Sequence, residues 1–417
     1  MKRSIKKTVF AVLLLCCLVL CVSCVEKDKG VARFDLSDAK NLYLGSAGAS
    51  KGIGTDFAEV TKGNDVKNVN FNFPVDTRLN GYTALPDGLF QLNEDYILVR
   101  FGLPLILVRT SDGFGICLNH INPTNHSDMH HLSDEYSLKR QFKITSSGDI
   151  YYLGRYLSTK KENRNDMTGF KIMKFSNSEN KLETFFTYDT GIMRGGCPFD
   201  SILVDINENT AASSTDQSNT SSLLVAVPRN GASIINEYPV RFDGSFVGPD
   251  GVFYFISNGR YVSITFDEES KTAEMSDLRS YPGDGTVSDE FIVINGNVYG
   301  LSRGRNPILI TASEGIINDI QFIDTGVNSI NDWDYAGDYL YISGSNKLIQ
   351  IDTTDNSVSE VVSGKRIKSF TASEEHGITL ESIENGSYSL WVQDLLSTAM
   401  TKIQESNEAF EDLVKVE

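Results

Sequence analysis

The chain has 417 residues, 38 basic and 55 acidic, for a net charge of −17. That excess of negative charge repels nucleic acid and anionic lipid headgroups, so partners held by basic patches are excluded. The length alone would suggest two or three domains, but internal repeats override that expectation.

Lys2, Arg3, Lys6 and Lys7 open the chain, and an apolar run from Val9 to Val22 follows, broken only by cysteines. A basic start, an apolar run of about 14 residues and small residues beyond it make a secretory signal. The run is shorter than the roughly 20 residues a spanning helix needs. It ends Leu20-Cys21-Val22-Ser23-Cys24. This resembles the lipobox of bacterial lipoproteins, with Ser23 as the small residue before the cleavage and Cys24 as the lipidated cysteine. Cys21 departs from the leucine usual at its position. The resemblance covers the first 24 residues. It implies a signal peptide over 1–23, acyl chains such as palmitate on Cys24, a tether over 24–30, and an exported protein anchored by lipid at the cell membrane or outer membrane. Several chains hold firmly, because each buried CH₂ adds about 0.8 kcal/mol. Val25 stands where an aspartate would favour inner-membrane retention in a Gram-negative host. Loss of the four basic residues of the signal would take the net charge to −21. Beyond Cys24 the cysteines are Cys117 and Cys197. Their separation places them in different repeats, so they are expected as free thiols.

From residue 31 onward, short apolar runs rich in β-branched and aromatic residues alternate with Gly, Asn, Asp and Ser. Eight runs recur at spacings of roughly 38 to 55 residues, the period of propeller blades. They are Asn41–Leu44, Ile97–Arg100, Ile150–Leu153, Ile202–Asp205, Val252–Phe255, Val298–Leu301, Leu340–Ser343 and Ile378–Glu381. Read as inner strands, they predict an all-β β-propeller over 31–404. Eight blades are expected, with seven as the alternative because 190–240 is irregular. Two β-sandwiches are the competing architecture. The repeats resemble the generic WD40-like and quinoprotein-like kind and match no named family. Only Trp333 and Trp391 are present, against a tryptophan per blade in quinoprotein propellers. Ser111-Asp112-Gly113-Phe114 carries only a fragment of a sialidase Asp-box. In the tail over 405–417, Phe410, Leu413 and Val414 fit one helical face, or Leu413–Val416 adds a strand that closes the ring.

Four of the five histidines, His120, His126, His130 and His131, lie in one short segment with Asp128 and Pro123. Neutral imidazole is a common transition-metal ligand, so zinc or copper is the candidate metal. No spacing matches a zinc signature, and a solvated polar loop is the plainer reading. Asp205-x-Asn207-x-Asn209, with Asp216 twelfth, resembles half an EF-hand loop but has Thr210 where the turn needs glycine. His376 reads as a turn residue. No nucleophile elbow or phosphate loop occurs, so no catalytic residue is assigned. The expected role is a binding or scaffold module for a protein or ligand of the cell envelope. The alternative is an envelope glycan hydrolase with carboxylates in the propeller funnel.

Overall fold

The computed structural model describes residues 31–45, 56–68, 88–100, 105–118, 142–158 (except 146), 167–189, 200–206, 209–215, 222–227, 234–238, 244–282 (except 258 and 268–271), 288, 290–395 and 399–416. The described elements are all strands, and they form eight antiparallel sheets. Sheet 1 runs Phe410–Lys415, Ala39–Gly45, Asp56–Thr61, Val66–Asn68. Sheet 2 runs Gly88–Gln91, Tyr96–Arg100, Leu105–Arg109, Phe114–Cys117, with Val31–Arg33 added on its outer edge. Sheet 3 takes the strands of 142–189, sheet 4 those of 200–238, and sheet 5 those of 244–280. Sheet 6 runs Glu290–Ile294, Asn297–Leu301, Ile308–Ser313, Ile316–Phe322. Sheet 7 runs Asp332–Ala336, Tyr339–Ser343, Lys347–Asp352, Val358–Ser363. Sheet 8 runs Arg366–Ser373, Gly377–Glu384, Ser387–Gln393, Thr401–Ser406.

The fold is the expected all-β propeller, not a pair of sandwiches. Each core cluster is shared between two sheets, as radial packing requires. Seven sheets contribute side chains to these cores. Sheet 4 is described by backbone pairing alone, and its first strand Asp200–Ile206 touches the first strands of sheets 3 and 5. The eight-blade and seven-blade expectations differ by this sheet.

The strand expected at the centre of each blade sits one place further out. In seven sheets the apolar run is the second strand, and only Ile202–Asp205 lies in a first strand. The reason is burial. A second strand is covered on both faces by neighbouring sheets, so it reads as a continuous apolar run. Leu340 and Ile342 are fully buried. A first strand borders the central opening and carries polar residues, as in Asp332-Trp333-Asp334-Tyr335.

The second strands also share a buried tyrosine: Tyr43, Tyr96, Tyr152, Tyr254, Tyr299 and Tyr341. Several hydroxyls reach a neighbouring sheet. Tyr96 donates to Asn177 Oδ1 at 2.9 Å, Tyr299 to Asn356 Oδ1 at 2.7 Å, and Tyr43 to Gln404 Oε1 at 2.5 Å. Each such bond is worth about 1 kcal/mol, and the ring adds the larger apolar share.

The C-terminal residues are a strand, not a helix. Phe410–Lys415 pairs with Ala39–Gly45, setting Asn41 opposite Lys415 and Tyr43 opposite Leu413. This strand closes the ring.

Candidate functional site: the axial funnel

The first strands enclose a central cavity of about 1030 Å³. Its described walls come from sheets 1, 2, 3, 6, 7 and 8. The apolar wall includes Phe142, Ile144, Phe291, Ile292, Val293 and Leu413, and Val293 is 45% exposed there. The carboxylates are Glu94, Glu290, Asp332, Asp334 and Asp412, and the cations Arg303, Lys368 and Lys415.

The carboxylates do a structural job around the ring. Glu290 of sheet 6 accepts a hydrogen bond from Trp333 Nε1 of sheet 7 at 2.8 Å. Asp334 of sheet 7 accepts from the Thr371 hydroxyl at 2.9 Å and the Ala372 amide at 2.8 Å, both in sheet 8. Asp412 of sheet 1 accepts from the Leu89 amide of sheet 2 at 3.1 Å. Behind the wall, Glu381 of sheet 8 accepts from the Phe410 amide of the closing strand at 2.9 Å and from the Ser369 hydroxyl at 3.0 Å. Sheets 6, 7, 8 and 1 thus each offer a carboxylate oxygen to a strand of the next, and charge-assisted bonds of this kind are stronger than neutral ones.

Two lysines complete the pattern. Lys415 is 2% exposed, donates to the Tyr335 carbonyl at 3.1 Å, and lies 3.8 Å from Asp334 Oδ1. The gross attraction of such a pair is about 4 kcal/mol at intermediate dielectric, but desolvation takes back several kcal/mol. Its chief effect is therefore to fix where the closing strand sits. Lys368 lies 3.4 Å from Glu381 Oε2 and also bonds the Phe410 carbonyl. Burial pushes the Glu381 carboxyl above the usual carboxylate range, and Lys368 and the Phe410 amide offset this only in part.

Other expected sites fall elsewhere. Cys24, Cys197 and the histidines His120, His126, His130 and His131 lie outside the described residues. Cys117 is buried at the end of the fourth strand of sheet 2. The EF-hand reading of Asp205, Asn207, Asn209 and Asp216 is overturned on its described residues: Asp205 pairs with Thr210 and Ile206 with Asn209, and Asn209–Thr215 is a strand, whereas an EF-hand loop is open. Asn207 and Asp216 lie outside the described residues. Among the described residues, no group of three or more His, Cys, Asp or Glu could hold a metal. His376 occupies a turn, as expected, with its side chain 8% exposed and its amide donating to Ser373 Oγ at 3.1 Å. Gly377 follows at φ 77°, where a Cβ would sit 2.0 Å from the Gln393 carbonyl. Only glycine fits that corner.

Sequence reading missed Asp334, Glu381, Lys368 and Lys415. The available signal was a charge inside an apolar stretch: Glu381 follows Ile378-Thr379-Leu380, and Lys415 stands between Val414 and Val416.

No protein-family model matches the chain, and no curated protein matches it. Among solved structures, it is similar to apo AztD from Citrobacter koseri, at 13% identity and a TM-score of 0.48, covering 90% of this chain and 97% of that one. It is similar to the dihydro-heme d1 dehydrogenase NirN at 10% identity and a TM-score of 0.47, covering 91% and 75%. A putative 6-phosphogluconolactonase from Bacteroides fragilis gives 14% identity and a TM-score of 0.43, covering 80% and 97%. The propeller itself rests on the strand topology above.

Proposed function

We propose that the protein is an exported binding module, anchored through lipid on Cys24, that seats part of an envelope protein or ligand in the axial funnel. The observation that carries the binding reading is the use of the funnel carboxylates. Glu290, Asp334 and Asp412 each accept hydrogen bonds from a neighbouring sheet. Acceptors tied up in this way are poor candidates for the acid and base of glycoside hydrolysis, which need free access to substrate. What remains open to a guest is a cavity whose exposed lining is more polar than apolar, with Glu94, Asp332 and Arg303 beside an apolar patch around Val293.

The test is capture from envelope extract with the mature protein and with Val293→Arg. Val293 is already exposed in the funnel, so the arginine should put bulk and charge on the funnel wall and leave the fold intact. Loss of the captured partner in the variant supports the reading, and equal capture by both proteins overturns it. The hydrolase reading instead requires glycan cleavage that disappears in Asp332→Asn. Cys24→Ala should release the protein from membranes, and unchanged partitioning would end the anchoring proposal. The histidine segment is kept as a zinc or copper proposal. Calorimetry with zinc at pH 7.5 should then give binding heat that the double variant His130→Ala, His131→Ala loses.

A further inference from the structure

The strands of every sheet end at one of two faces of the disc. One face carries the turns from first to second strand and from third to fourth. It bears Asp95, Asp112, Asp250, Glu314, Asp355 and Glu374, all exposed. Its exposed cations, such as Lys62 and Lys181, are fewer among the described residues. The opposite face carries the turns from second to third strand and the connections between sheets. There Arg260, Arg303, Arg305, Lys347 and Arg366 stand against Asp324, Glu384 and Glu405. Among the described residues, the acid excess is therefore gathered on the first face, and the second is close to balanced.

The chain enters the disc at a fixed place. Val31–Arg33 pairs antiparallel with the fourth strand of sheet 2, Val31 opposite Ile116 and Arg33 opposite Phe114. The Phe34 amide donates to the Gly113 carbonyl at 2.8 Å, and the ring is buried over Gly115, where a Cβ would sit 2.5 Å from it. Gly113 belongs to a turn of the acidic face, and Ile116 lies near the strand end at the balanced face. The chain before Val31 therefore leaves sheet 2 at the rim of the balanced face. From Cys24 to Val31, seven peptide units reach at most about 25 Å.

We propose that the anchored protein stands with its balanced face against an anionic bilayer and its acidic face toward solution. This rests on the lipid-anchor reading above. The tether holds the rim of sheet 2 at the bilayer, and charge selects the face. Carboxylates within a Debye length of anionic headgroups, about 8 Å, are repelled, whereas a balanced face is not. A strand of five residues spans about 17 Å, so with the balanced face down the acidic face lies beyond that range. The funnel end beside Glu94 then opens to solution, and the end beside Arg303 turns toward the bilayer.

Hydrogen exchange of the mature, lipidated protein tests this, comparing detergent solution with vesicles of equal parts phosphatidylglycerol and phosphatidylcholine. In the vesicles, the amides of 303–306 and 345–347 should exchange several-fold more slowly, and those of 314–315 and 354–356 should not change. Slowing at 314–315 and 354–356 instead, equal slowing at both sets, or no slowing in protein that sediments with the vesicles overturns the orientation. In vesicles of phosphatidylcholine alone the contrast should narrow, and an unchanged contrast overturns the role given to charge. The anchor is judged by sedimentation alone. Wild type that stays in solution, or Cys24→Ala that sediments equally well, ends the anchor reading and this orientation with it.

Discussion

The joint between sheets 6 and 7 and the joint between sheets 8 and 1 solve the same problem with different chemistry. Sheets 6 and 7 pack through Tyr299, Leu301, Ile330, Trp333, Leu340, Ile342 and Ile351. Their peripheral bonds are largely neutral, such as Asn297 Nδ2 to the Thr353 carbonyl at 2.7 Å. Sheets 8 and 1 share a smaller apolar cluster around Tyr43, Val60, Leu390 and Phe410. To it they add Glu381, Lys368, Lys40 and His376, all buried or partly buried. Sheets 6 and 7 are neighbours along the chain, and apolar packing with a Trp333–Glu290 bond at the funnel joins them. The closing strand arrives from the far end of the sequence, and an apolar face alone would let it slip. Charged groups at Phe410 and at Lys415 fix its register.

The largest predicted effect breaks the charged joint. Glu381→Ala should cost about 3–5 kcal/mol in denaturant unfolding, because it strands the buried Phe410 amide and removes the carboxylate that pairs with Lys368. Leu340→Ala, on the apolar joint, should cost about 2–5 kcal/mol through the cavity it leaves. Unlike Glu381→Ala, its cost should not change between pH 5 and 8. Tyr299→Phe should cost only about 1 kcal/mol, the price of one hydrogen bond. The subtlest prediction concerns Glu381→Gln. The folded-state carboxyl is raised above its ordinary value, so the wild-type residue contributes less stability as pH rises from about 4.5 through the folded value. The cost of the glutamine variant, read from unfolding midpoints, should therefore be smaller at pH 7 than at pH 4. A larger cost at pH 7 would mean that Lys368 outweighs burial at this site.

The propeller was legible because its second strands are buried on both faces, which writes a plain apolar run into the sequence at blade spacing. Their place in the sheet was not legible, since an apolar run carries no mark of which strand lies nearest the axis. The funnel was harder still. Asp334 and Lys415 meet across the ring through the last strand, a contact that no local pattern encodes. Phe410, Leu413 and Val414 satisfy a helical stripe, yet the partner waiting at Ala39–Gly45 makes them a strand. Tertiary pairing here overrides local periodicity.

Ring closure also sets an order of events in time. Asn41 cannot meet Lys415 until nearly the whole propeller has been made. At about 5–20 residues per second, the intervening chain takes roughly 20–70 s to emerge from the ribosome. Throughout that interval Ala39–Gly45 presents an unpaired edge, the kind of edge that templates aggregation. Joining the ends then costs about 5 kcal/mol of loop entropy on a logarithmic estimate. A chain terminated just before Phe410 would carry seven ordinary sheets and one open edge for good, and it should be the first form that proteases and chaperones find.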